Sequence, residues 1–171
     1  LVRELKVPPW RICAVTFTNK AARELKERLS KLLGPTLASD LNASTFHALC
    51  ARILRQDGSA IGLDHNFVIY DQDDQIEVVK RALELVDLDP KKNPPRSILN
   101  KISFAKSELR DAATFKAQVR SYQEEIVERI YTAYQGLLTQ SQAVDFDDLI
   151  LRTHHLFRDH PQLLEKYQER L

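Results

Sequence analysis

Hydroxyl, aromatic and amide side chains cluster where the first predicted strand gives way to a helix. The segment is TFTNKAAREL, and its side chains of interest are Thr16, Phe17, Thr18 and Asn19. A helix N-terminus offers unpaired backbone N–H groups and the positive end of the helix dipole to an anion such as a phosphate. An aromatic ring at the same place can stack on a nucleic-acid base. The alternative is an ordinary capped helix with Phe17 in the core.

The segment STFHALCARILR, which begins at Ser44, repeats this arrangement. It joins a strand end to hydroxyl groups, the ring of Phe46, His47 and a helix that carries two arginines. Thr45 and His47 have the chemistry to hold phosphate or sugar oxygens of a nucleic acid. A structural histidine beside solvated arginines is the alternative, and the segment alone leaves both open.

Acidic side chains are grouped at Asp145, Asp147 and Asp148, in the sequence VDFDDL. Carboxylates so close together could bind a metal ion. They also suit the N-cap and first turn of a helix, where they complement the helix dipole. We favour capping and predict no metal site.

A local basic patch is predicted on one helix and just before it. Lys101, Lys106 and Arg110 lie on the helix, and Lys91, Lys92 and Arg96 lie upstream. Basic side chains in this arrangement can follow the phosphates of a duplex. An ordinary solvated helix face is the alternative.

Hydrophobic periodicity predicts the elements that position these groups. Short apolar runs predict strands at 11–17, 43–46 and 66–70. Helical spacing predicts helices over most of the remainder, with one long stripe over 115–137 and a polar break at 141–143. Because the predicted strands are confined to the first 70 residues, the expected fold is mostly α with a small α/β part.

Composition excludes several classes of protein. The chain has 171 residues and a net charge of +1, so a nucleic-acid partner must be argued from local patches. Two cysteines are too few for a disulfide framework, and no apolar run reaches the roughly 18–20 residues that span a membrane. We therefore predict a cytoplasmic protein without a membrane partner. The absence of Met, even at position 1, predicts a piece of a longer protein.

Ordered motifs carry a resemblance to one family. TFTNKAAREL resembles motif Ia of the UvrD/Rep/PcrA-like superfamily 1 DNA helicases, and STFHALCARILR resembles their motif Ib region. VPPWRI resembles the lead-in to motif Ia, and NFVIYDQDDQ, SFAKSEL and AVDFDDLI follow in the same order as in that family. The resemblance covers nearly the whole chain.

The resemblance implies an incomplete RecA-like (P-loop NTPase) domain at 1–71, an inserted helical subdomain at 72–142, and helices returning to the RecA-like domain at 143–171. In this family a Walker A loop lies upstream and a DExxD motif downstream, and this sequence contains neither. The intact parent is therefore expected to use ATP and Mg²⁺, with no catalytic residue in this chain and no cofactor bound to it.

The activity implied by the resemblance is ATP-driven 3′-5′ movement on single-stranded DNA, in DNA repair, replication or recombination. The implied partners are single-stranded DNA and a single-strand/duplex junction. The implied DNA contacts are Thr16, Phe17, Thr18, Asn19, Thr45, Phe46 and His47, with Lys106 facing the duplex. Asp145, Asp147 and Asp148 are expected to position the return helix. The alternative is a non-catalytic DNA-binding or protein-interaction module that lacks an ATP site.

Overall fold

A short parallel sheet ends at the two predicted motif segments. In the computed structural model, which describes residues 1–2 and 4–171, strand β1 (Cys13–Thr16) pairs with β2 (Asn42–Thr45). Helices α1 (Asn19–Leu33) and α2 (Pro35–Ser39) connect the strands, and α3 (Phe46–Asp57) follows β2. Thr16 lies opposite Thr45, so both strands end at the same edge of the sheet. The helices that follow the strands therefore begin at that edge.

A second parallel pair joins residues that are far apart in the chain. Strand β3 (Val68–Ile69) pairs with β4 (Ala143–Val144). The helices between them are α4 (Gln72–Leu85), α5 (Pro95–Ser107), α6 (Ala112–Ala117) and α7 (Tyr122–Gln140). Helices α8 (Phe146–Asp159) and α9 (Pro161–Arg170) follow β4. The chain therefore leaves β3, forms a run of helices, and returns beside its point of departure.

Buried apolar side chains form two clusters in the described part of the chain. The first is built from α4, α5, α7 and the first residue of β4, and includes Val79, Ile102, Ile130, Tyr134 and Ala143. The second is built from α3, α8, α9 and the ends of β3 and β4, and includes Leu54, Phe67, Val144, Leu149 and Leu156. Successive strand residues face opposite sides of a sheet. Accordingly, Ala143 packs into the first cluster and its neighbour Val144 into the second.

Two of the predicted elements are wrong in detail. Residue 143, predicted as part of a polar break, begins β4, so strands are not confined to the first 70 residues. A two-residue strand is too short to show periodicity, and pairing with β3 defines it. The stripe over 115–137 is divided between α6 and α7, because Ser121 caps α7 by accepting a hydrogen bond from the Glu124 N–H.

The helices give no indication of a membrane span. Within residues 1–2 and 4–171, none of them is both long enough and apolar enough to cross a bilayer.

Candidate nucleic-acid interface

Threonine hydroxyls cap both helices that begin at the edge of the first sheet. Thr18 Oγ1 accepts a hydrogen bond from the Ala21 N–H at 3.1 Å, and Thr45 Oγ1 accepts one from the Ala48 N–H at 3.2 Å. A capping hydroxyl still has its own proton to donate. Thr18 is exposed, so that proton can reach a ligand.

Burial changes the expected role of Thr45. Thr45 is only 7% exposed, and its hydroxyl caps the start of α3. It therefore does not lie on the surface, as a direct contact with DNA would require. Thr16 is half-buried, and its hydroxyl donates to the Thr18 carbonyl at 3.2 Å. Both side chains therefore shape the turns, whereas Thr18 and Asn19 face solvent.

Phe17 lies on the surface. Its residue is 85% exposed, and its ring centroid is 5.2 Å from that of Phe46, which is 38% exposed. The hypothesis that Phe17 belongs to the core is wrong. Exposed apolar side chains that are grouped in one patch mark interaction surfaces, and the rings of Phe17 and Phe46 form such a group.

A third exposed ring, Phe146, extends this surface. Its ring centroid is 6.0 Å from the His47 imidazole, in an edge-to-face arrangement, and the residue is 49% exposed. We call Phe17, Phe46, His47 and Phe146 the aromatic edge. Phe146 was not predicted as a site residue, because its segment VDFDDL was interpreted as the N-cap and first turn of a helix. The signal that could have found it is positional, since Phe146 follows an N-cap at a strand-to-helix turn as Phe46 does.

The expectation that Lys106 faces a duplex is wrong. Lys106 is 2% exposed, and its Nζ lies 2.7 Å from Asp145 Oδ2 and 2.8 Å from Asp148 Oδ1. The reason lies in the helical spacing of α5. Lys106 follows the buried Ile102 by four residues, and so lies on the inner face of the helix.

The environment favours the charged forms of Lys106 and Asp148 but disfavours that of Asp145. Burial alone disfavours a charged lysine, but the carboxylates of Asp148 and Asp145 outweigh it and raise the pKa of the Lys106 ammonium. Burial also opposes ionisation of Asp148, yet Lys106 and Arg152 outweigh it and lower the pKa of that carboxyl. For Asp145, burial and the neighbouring Asp148 charge dominate and raise the pKa.

Capping by the acidic group at the start of α8 is confirmed. Asp145 accepts from the Asp148 N–H at 2.8 Å, and Asp148 accepts in return from the Asp145 N–H at 3.4 Å. Tyr134 donates its hydroxyl to Asp145 at 2.8 Å, and Ser103 donates to Asp147 at 2.6 Å. Across the described ranges, no three His, Cys, Asp or Glu side chains are grouped so that they could hold a metal ion.

Comparison with known proteins decides the family. The family model of the UvrD/REP helicase N-terminal domain matches residues 1–171. The chain belongs to this family. The predicted resemblance is thereby confirmed.

Relatives of this helicase domain include ATP-dependent DNA helicases named PcrA. The chain is 49% identical over 170 residues to PcrA of Bacillus subtilis (strain 168), and 51% identical over 172 residues to PcrA of Leuconostoc citreum. PcrA of Staphylococcus aureus (strain COL) is 44% identical over 170 residues. Each alignment covers 99% of this chain and 23% of the relative, so the chain spans about a quarter of the length of the curated relatives it matches.

Basic side chains of the predicted patch other than Lys106 remain exposed on the helical part of the chain. They are Lys91, Lys92, Arg96 and Lys101, in the loop before α5 and on its outer face. Arg110 is partly buried, where its guanidinium lies 5.5 Å from the Phe115 ring. The patch is therefore smaller than predicted and centred on the first half of α5.

Proposed function

We propose that the protein containing this chain is an ATP-dependent 3′-5′ DNA helicase or translocase. In this proposal the chain contributes part of the single-stranded DNA track and a helical subdomain that faces duplex DNA. Family membership and the printed activity of the relatives support the class. The observation that carries the DNA-binding role is the aromatic edge, which lies exposed at helix N-termini.

The aromatic edge suits a single strand bound without regard to sequence. A base can stack on Phe17 because every base has an aromatic face, and Phe46 supports that ring from beside it. A phosphate next to the stacked base would meet the N-terminus of α1, where Thr18 and Asn19 are exposed. His47 and Phe146 would continue the track along α3 and α8.

The proposed domain organisation is based on the two apolar clusters. We infer an incomplete RecA-like domain at 1–71, an inserted helical subdomain at 72–142, and a return at 143–171. The separate packing of Ala143 and Val144 supports a boundary at this point. The exposed lysines of α5 and its preceding loop would face the duplex, since phosphate contacts need basic side chains in solvent.

The residues of this chain do not form a site for binding and hydrolysing ATP. The four glycines, at 34, 58, 62 and 136, form no phosphate loop with a following lysine. ATP and Mg²⁺ would therefore be bound by other parts of the full-length protein, and we assign no catalytic residue here.

The purified 171-residue chain should show no ATP hydrolysis above background. Phosphate binding needs a cradle of backbone N–H groups and a lysine, and Mg²⁺ needs carboxylates aimed at the phosphates. Steady-state phosphate release, measured with and without single-stranded DNA, tests this. Robust turnover by the chain alone would contradict the assignment.

Single-stranded DNA should bind the isolated chain weakly and in a salt-dependent way. Because phosphate contacts release counterions, affinity for oligo(dT) should fall steeply between about 50 and 200 mM salt. Fluorescence anisotropy with oligo(dT) and a mixed sequence measures both salt and sequence dependence. Tight, salt-insensitive or sequence-specific binding would argue against a helicase track.

The full-length protein provides the decisive test of function. With ATP, it should unwind a duplex with a 3′ single-stranded tail and leave a duplex with a 5′ tail intact. Binding to single-stranded DNA without unwinding or ATP hydrolysis would overturn the proposal in favour of a non-catalytic DNA-binding module.

A further inference from the structure

The first turn of α8 has one side exposed to solvent and one side buried against α5. On one side, Phe146 presents its ring to solvent and to His47. On the other side, Asp145 and Asp148 are each 1% exposed and point toward α5. The same four residues, 145–148, therefore contribute to the aromatic edge and to the contact with the helical part of the chain.

Hydrogen-bonding groups of α5 and α7 hold the inner side of this turn. Lys106 bonds to Asp145 and Asp148, and Ser103 donates to Asp147 at 2.6 Å. From α7, Tyr134 donates to Asp145, and Gln135 donates to Asp148 at 3.2 Å. Because hydrogen bonds are directional and short-ranged, these bonds restrict the register of α8 against α5 and α7.

Phe146 is tied directly to these bonded residues. It lies between Asp145 and Asp147 in the chain, and it is the first residue of α8. A shift of the turn relative to α5 would therefore move the ring relative to His47, whose own helix packs against α8.

We propose that Ser103 and Lys106 are positioning residues that hold Phe146 in the single-stranded DNA track. They act through the carboxylates of 145–148 and touch no DNA themselves. The proposal rests on the proposed function, and it makes the helical subdomain a support for the aromatic edge in addition to a duplex-facing surface.

A double-mutant cycle in the full-length protein tests this. Equilibrium affinity for oligo(dT) is measured for wild type, Ser103→Ala, Phe146→Ala and the double variant. Ser103→Ala should weaken binding by up to about tenfold, because the lost hydrogen bond to Asp147 affects DNA only through the position of Phe146. If Ser103 acts through Phe146, the double variant should bind no more weakly than Phe146→Ala. Additive losses would overturn the proposal.

Ser107→Ala is the matched control. Ser107 is on the same helix, but its hydroxyl donates to the Phe104 carbonyl within that helix. Its replacement should leave oligo(dT) affinity unchanged, and a loss equal to that of Ser103→Ala would contradict the inference.

The role of Lys106 is tested in a double variant, because removing Lys106 alone would leave two buried carboxylates without their cation and could unfold the protein. Lys106→Met combined with Asp145→Asn removes one charge of each sign and retains a good N-cap residue. Thermal melting followed by circular dichroism first confirms that this variant is folded. It should then bind oligo(dT) more weakly than wild type does. In a Phe146→Ala background, the same two substitutions should cause no further loss of affinity. Unchanged affinity would overturn the role of Lys106. If wild type itself fails to bind oligo(dT), the proposed function fails and this inference with it.

Discussion

Replacing Lys106 with methionine should destabilise the chain by about 3–5 kcal/mol, the usual cost of removing one partner from a buried ion pair. Two carboxylates would then remain buried without the ammonium that compensates them. For a chain of this size, the loss corresponds to a melting temperature lower by roughly 10 °C. Thermal unfolding followed by circular dichroism measures it.

A pH series gives this prediction a distinctive signature. In wild type, the lowered pKa of Asp148 stabilises the fold above the ordinary aspartate range, and this contribution is lost as pH falls through it. The raised pKa of Lys106 stabilises the fold below the ordinary lysine range, and is lost as pH rises beyond it. Through Lys106 and Asp148, wild-type stability should therefore change little between about pH 5 and 9, and only the raised pKa of Asp145 lowers it as the pH rises above the ordinary aspartate range.

Lys106→Met should gain more stability than wild type as the pH falls from about 8 to 5. Protonating a buried carboxyl then removes an uncompensated charge, so the folded state binds more protons than the unfolded state. Lys101→Met is the control, because Lys101 is on the same helix but exposed. A stability loss as small as that of Lys101→Met, with no pH dependence, would show that the ion pair contributes little.

Phe17→Ala in the full-length protein should weaken single-stranded DNA binding without destabilising the fold. Stacking of a base on an aromatic ring is worth about 1–3 kcal/mol, or about a 5- to 150-fold loss of affinity. DNA-stimulated ATP hydrolysis should fall with it, across all DNA sequences. The DNA-independent rate should be nearly unchanged, because this chain has no phosphate loop for Phe17 to disturb.

Thermal unfolding separates stacking from packing at Phe17. Because the residue is 85% exposed, its truncation removes little buried area, and melting should shift by a few degrees at most. Tyr122→Ala, at a residue that is 76% exposed on α7, controls for the loss of a surface aromatic and should leave single-stranded DNA affinity intact. A large loss of stability with unchanged affinity per folded molecule would exclude the stacking role.

Local features of this protein were accessible from the sequence. The N-caps at Thr18 and Asp145 depend on residues within one helical turn, so residue type and spacing suffice to predict them. The same holds for the strand-to-helix turns after Thr16 and Thr45, although the pairing of β1 with β2 is what brings them to one edge. The order of the motifs also identified the family before any contact was known.

Contacts between distant segments were decided by the tertiary structure. Spacing along α5 places Lys106 on the same face as Ile102, but only the packing of α8 against α5 supplies the carboxylates that make its burial favourable. Likewise, β4 exists because β3 lies beside it, and Phe146 joins the aromatic edge because α3 brings His47 to it. Periodicity reports which face of a helix is apolar, but the partner across that face is set by how whole elements pack.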